Sequence, residues 1–132
     1  MMTMTLNGVF QIAGWDEKPY LENDDGSKQS QAIINQRYSG DLEGSSDIQY
    51  LMSYQTDGAA IFVGFETFSG TINGKTGSFV LQHTGKFEAG VATSNFNIVP
   101  KSGKEGLTGI SGKGCFKSGE NGQAKYQLTI DA

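Results

Sequence analysis

The side chains best suited to chemistry in this sequence are a carboxylate and the only histidine, Glu66 and His83, each set among phenylalanines. A carboxylate beside an imidazole orients the ring and favours its protonated form, so the pair can hold a polar group or move a proton. Burying either charge is costly unless it is paired. Glu66 is the sharper of the two, because leucine or valine would serve a plain core better. Three roles stand open. The pair is self-satisfied and fixes strand register, or it anchors the polar end of a ligand, or it works as an acid/base couple.

The turn between the two residues decides whether they meet. Asn73-Gly74 suits a two-residue type I′ turn, in which both central residues take φ > 0. Counting outward, Ile72 faces Lys75, Phe68 faces Phe79, Glu66 faces Leu81 and Gly64 faces His83. Glu66 and His83 are then diagonal neighbours on one face, within reach of long side chains. Gly64 leaves room opposite the imidazole. The same count from Asp57-Gly58 puts Gln49 opposite Glu66, with Leu51 and Phe62 on its face. From Ala89-Gly90, Phe96 faces His83 and Ile98 faces Leu81. The candidate ligand-binding face is therefore Glu66, His83, Gln49, Phe62, Phe68, Phe79, Leu81 and Phe96.

The reverse of that face carries Val80, Gln82, Thr84, Lys86, Asn95 and Asn97, which reads as solvated, so Glu66 and His83 point inward. Across the third and fourth strands the reverse is apolar, with Ile48, Tyr50, Met52, Tyr54, Ile61, Val63 and Phe65. Such an outer surface predicts cover by a second subunit, hence a homo-oligomer. A slip of one residue would exchange the two faces.

Short alternating runs punctuated by Gly, Asn and Asp recur from end to end, and no segment shows a helical period. They predict eight strands, at roughly 5–16, 29–39, 46–56, 59–71, 76–87, 91–99, 106–116 and 123–131. Eight sequential strands with short links favour an antiparallel up-and-down barrel, with a two-sheet sandwich as the alternative. The Gly-rich run Gly106 to Gly114 fits the bends of a barrel strand. The expected architecture is all-β, a single barrel domain over residues 1–132.

Composition excludes several classes. The 132 residues carry a net charge of −4 and no run of Lys or Arg, which argues against nucleic acid as a partner. One cysteine, Cys115, rules out an internal disulfide and a Cys-based zinc site, and reads as a small packed residue. One His and one Cys make a metal site a poor reading, and no cofactor is expected. Asp16-Glu17 and Asp24-Asp25 are adjacent pairs whose side chains point apart on a strand, a poor basis for glycosidase chemistry. Trp15 reads as a packing anchor near a barrel mouth. No apolar stretch is long enough to span a membrane, and the expectation is a cytoplasmic protein.

Several segments carry a resemblance: Trp15-Asp16-Glu17-Lys18-Pro19-Tyr20, Tyr38 to Gly44, Val63-Gly64-Phe65-Glu66, Gly77 to Gly85 and Gly106 to Gly114. Together, over nearly the whole chain, they resemble the bacterial domain-of-unknown-function family numbered 3224. That family is similar to the allene oxide cyclase and dirigent barrels, which implies an eight-stranded antiparallel barrel of allene-oxide-cyclase type. No cyclase active-site motif maps onto this sequence, and fold alone transfers no chemistry. An eight-stranded barrel is either filled by its own side chains or holds one small molecule. The leading expectation is a small apolar ligand inside the barrel, anchored by Glu66 and His83. The alternatives are an isomerase or cyclase using the same pocket, and a filled structural barrel that works as an oligomer.

Overall fold

The structure, a computed structural model, describes residues 3–131. Nine strands follow in order: β1 (Thr3–Glu22), β2 (Lys28–Gly40), β3 (Leu42–Tyr54), β4 (Ala60–Ile72), β5 (Lys75–Glu88), β6 (Val91–Ile98), β7 (Lys104–Glu105), β8 (Ser111–Ser118) and β9 (Gln123–Asp131). All pairings are antiparallel. The sheet order is β4-β3-β2-β1-β9-β8-β6-β5, and the β4–β5 pairing closes it. The result is an eight-stranded up-and-down barrel with the two-residue β7 outside it, so the sandwich alternative falls away. The described chain contains no helix long and apolar enough to cross a membrane.

Two turns set the site register as expected. Asn73 (φ 51°) and Gly74 (φ 77°) both adopt positive φ, as do Ala89 (φ 52°) and Gly90 (φ 81°). Type I′ geometry follows, and with it Glu66 opposite Leu81, Gly64 opposite His83 and His83 opposite Phe96.

The third turn differs from the two-residue reading. Gln55 and Ala59 flank a three-residue loop in which the Gly58 amide donates to the Gln55 carbonyl at 3.2 Å. Gly58 has φ 87°, whereas Asp57 has no positive φ, so the loop is a type I turn followed by a glycine bulge. The extra residue shifts β3 by one position against β4. Ile48, not Gln49, lies opposite Glu66.

One residue of shift turns every β3 side chain to the other face. Gln49 and Leu51 are exposed on the outside, while Ile48, Tyr50 and Met52 are buried inside. Gln49 therefore leaves the candidate binding face. The outer apolar patch is correspondingly Ile33, Leu51, Ile61, Val63 and Phe65.

The seventh predicted strand also needs correction. Residues Gly106 to Ile110 form tight turns, with Leu107, Thr108 and Ile110 amides donating to the Lys104, Glu105 and Leu107 carbonyls. Only Ser111–Ser118 joins the barrel as β8. The turns put Leu107 among the buried residues, beside Ile72, Leu42 and Ile130 in one core. Within β8 the inward positions are Gly112, Gly114, Phe116 and Ser118, which leaves Cys115 exposed on the outer face rather than packed.

At the β2–β3 turn, the Tyr126 hydroxyl donates to Ser39 O at 2.8 Å and accepts from Leu42 N at 2.9 Å. β1 is longer than the sequence suggested. Thr3 to Asn7 pairs with β9 alone, Gly8 to Gln11 with both β9 and β2, and Gly14 to Glu22 with β2 alone. A register shift between Ile12 and Gly14 marks where this arm leaves the barrel wall.

Candidate functional site

Four strands deliver one connected chain of polar side chains into the barrel. Glu66 comes from β4, His83 from β5, Tyr38 from β2 and Ser94 from β6. His83 Nε2 lies 2.7 Å from Glu66 Oε1, and the Tyr38 hydroxyl donates to Glu66 Oε2 at 2.5 Å. His83 Nδ1 lies 2.9 Å from Ser94 Oγ. Glu66 and His83 are each 1% exposed, so protein atoms alone satisfy both carboxylate oxygens and both ring nitrogens. A buried polar network with every member paired rigidifies a core, and one missing member makes it a liability.

The aromatic rings pack around this chain. The imidazole meets Phe96 at 5.0 Å, Tyr50 at 5.5 Å and Phe116 at 5.8 Å between centroids. Phe68 and Phe79, 5.2 Å apart, are fully buried with Leu81 and fill the interior beside it. Burial raises the Tyr38 pKa well above its ordinary value, and the Glu66 charge and hydrogen bond add to this. Tyr50 is raised by burial first and the Glu66 charge second. Both hydroxyls are therefore neutral donors.

Above the polar chain the barrel is not completely filled. A cavity of about 90 Å³ is bounded by Phe10, Phe62, Phe116, Met52, Ala92 and Ala124, with Trp15 and Phe87 at its mouth. Its polar lining residues are Tyr50, Gln36, Ser118 and Gln123; the Ser118 hydroxyl accepts from Ala92 N at 2.8 Å, whereas the Tyr50 hydroxyl and Gln36 Oε1 are buried without a hydrogen-bond partner. Glu66 and His83 do not border this cavity; Tyr50 stands between the imidazole and the open space.

The β1 arm holds the mouth. Trp15 Nε1 donates to Glu17 Oε1 at 3.0 Å, while Ser30 Oγ and the Tyr54 hydroxyl donate to Glu17 Oε2 at 2.5 and 2.7 Å. Burial pushes the Glu17 pKa up, but the three hydrogen bonds and the nearby Lys28 outweigh it and leave the carboxyl below its ordinary value. Asp16 faces solvent, so the two adjacent carboxylates point apart as expected.

The family model described as "Protein of unknown function (DUF3224)" matches residues 6–130. The chain belongs to this family. A DUF3224 protein of unknown function from Shewanella oneidensis MR-1, solved by crystallography, has the same fold with a TM-score of 0.80. It is 29% identical to this chain, and the alignment covers 98% of this chain and 97% of that one. No curated protein matches this sequence.

Of the residues singled out in the DUF3224 sequence, Glu66, His83, Phe62, Phe68, Phe79, Leu81 and Phe96 come together inside the barrel. Phe62 alone among them borders the cavity. Sequence reasoning missed Tyr38, Ser94, Gln36 and the inward aim of Tyr50. Ser94 had a signal: the turn that sets His83 against Phe96 also sets Ser94 against Gly85, diagonal to the imidazole. Among the described residues, no three His, Cys, Asp or Glu side chains converge as a metal site.

Proposed function

We propose that this DUF3224 barrel binds one small, mostly apolar molecule in the cavity between Trp15 and Tyr50. The observation that supports this reading is the cavity itself, about 90 Å³ with largely aromatic and aliphatic walls, in a barrel otherwise packed with side chains. An apolar protein cavity of roughly 150 Å³ takes a benzene ring. A ring or short chain entering here keeps part of its body in the mouth under Trp15. The Glu66–His83 pair acts from behind, fixing the Tyr50 ring that forms the cavity floor.

Native mass spectrometry of the purified protein, followed by denaturing extraction, tests the reading. A reproducible bound molecule that is lost in the Ala92→Phe protein supports it. An empty wild-type protein that gains no thermal stability from a panel of small cyclic and short-chain molecules sinks it.

The same proposal includes association of two copies. Ile33, Leu51, Val63 and Phe65 form an exposed apolar face interleaved with the uncharged Gln31, Gln49, Gln82 and Thr84 and bordered by the exposed Asp16, Lys18, Asp47 and Lys86. A contiguous apolar face of this kind, with charges of both signs at its border, supports a contact with a second copy.

A further inference from the structure

Two residues that line the cavity proposed as a binding site, Tyr50 and Gln36, each carry a buried polar atom without a partner. Tyr50 and Gln36 are 4% and 3% exposed, and both line the same small cavity. The Tyr50 hydroxyl and Gln36 Oε1 are buried without any partner, as is the hydroxyl of Ser46, which faces Gln36 across β2 and β3 but does not line the cavity. Leaving such atoms unpaired costs stability, and barrel cores remove that cost by using Phe and Leu instead. The neighbouring network shows the contrast. There Tyr38 is fully engaged by Glu66, in a setting just as buried.

We propose that the Tyr50 hydroxyl and the Gln36 amide receive the hydroxyl group of a neutral, apolar-bodied alcohol, which enters the barrel head-first. This rests on the cavity being a binding site and names the class of molecule it takes. Donor and acceptor chemistry favours this group. Gln36 Oε1 can only accept, so the ligand must donate to it. The Tyr50 phenol, kept neutral by burial, has a proton to give, so the ligand must also accept. A hydroxyl does both; a ketone or ether accepts from Tyr50 but leaves Gln36 Oε1 unmet, and a hydrocarbon meets neither. An anion is disfavoured because no Lys, Arg or His side chain lines the cavity and the Glu66 charge lies close behind Tyr50. A cation is disfavoured because no carboxylate lines it either. The apolar body then packs on Phe62, Phe10 and Phe116, with Trp15 across its tail.

Three probes of nearly equal size separate this inference from the wider proposal: cyclohexanol, cyclohexanone and methylcyclohexane, titrated by ligand-detected NMR. The expected result is cyclohexanol binding about tenfold or more tighter than either analogue, the scale of one or two buried hydrogen bonds. Tyr50→Phe and Gln36→Met, each checked for native circular dichroism, should erase most of that preference while still binding methylcyclohexane. Equal binding of all three probes overturns the alcohol assignment and leaves the apolar site standing. A preference that survives both substitutions overturns it as well, since the hydroxyl is then held elsewhere. Binding of none of the three, by a protein that is folded and empty in native mass spectrometry, overturns the site and the assignment together.

Discussion

Tyr50 occupies the space that a side chain at Gly64 would take. The two are cross-strand partners on β3 and β4, and the Tyr50 ring reaches past the glycine to meet the His83 imidazole edge-on, at 5.5 Å and 82°. A Cβ added at Gly64 would collide with the Gln49 carbonyl and the Tyr50 ring. Gly64 has no positive φ, so its glycine is required by space and not by backbone conformation. Gly64→Ala should therefore cost about 1–3 kcal/mol, the usual penalty of overpacking, and displace Tyr50 from the cavity floor. Urea denaturation checks it: the midpoint should fall with the slope unchanged.

The buried chain makes a second, asymmetric prediction. Glu66→Leu removes one member and leaves the Tyr38 hydroxyl and His83 Nε2 without their shared acceptor. Breaking a buried pair on one side costs about 3–5 kcal/mol, whereas replacing both partners by apolar groups is often close to neutral. The double substitution Glu66→Leu, His83→Leu should thus be more stable than the sum of the two single changes predicts. Thermal or urea unfolding of the four proteins in a double-mutant cycle measures the difference. Additive effects would show that the pair is not coupled.

The parts of this barrel legible in the sequence were those carried by local turn chemistry. Asn73-Gly74 alone fixed Glu66 and His83 on one face, because both residues tolerate the φ > 0 that the turn needs. Asp57-Gly58 misled by one residue. A glycine at φ 87° serves equally as the second residue of a type I′ turn or as the bulge after a type I turn, and only the pairing tells them apart. That single residue moved Gln49 out and Tyr50 in. Tyr38 was hidden for another reason: it reaches Glu66 from two strands away, so no single hairpin count connects them. Gly106 to Ile110 resembled a strand in composition, yet its glycines serve turns.

Glu17 predicts a pH effect that the single tryptophan can report. Its carboxyl sits below the ordinary value of about 4.5, because hydrogen bonds from Ser30, Tyr54 and Trp15 outweigh its burial. A depressed folded-state pKa stabilises the folded arm above the unfolded value, and that contribution is lost as the pH falls through the folded value. The latch on Trp15 should hold at pH 6–7 and release below about pH 4.5. Trp15 fluorescence should shift over that range, before global unfolding. Glu17→Gln should show the released emission at neutral pH and lose the transition. A wild-type titration that is flat from pH 6 down to unfolding would exclude the latch.

The outer face of β2, β3 and β4 yields the last prediction. Ile33, Leu51, Ile61, Val63 and Phe65 are each about half exposed, and they are contiguous because the register sets Ile33, Gln49 and Phe65 in one row and Gln31, Leu51 and Val63 in the next. Isolated apolar side chains on a surface need no explanation, but five on adjacent strands form a patch of the kind that marks contact surfaces. An isologous dimer uses the same patch on both copies, so one substitution changes the interface twice. Phe65→Glu would then place two carboxylates in a desolvated contact, while leaving the barrel interior untouched because residue 65 points outward. Sedimentation velocity at micromolar concentration should show the wild type as an oligomer and Phe65→Glu as a monomer of unchanged melting temperature per chain. A monomeric wild type would remove the patch as a self-contact and leave the interior cavity unaffected, since no residue of that face borders it.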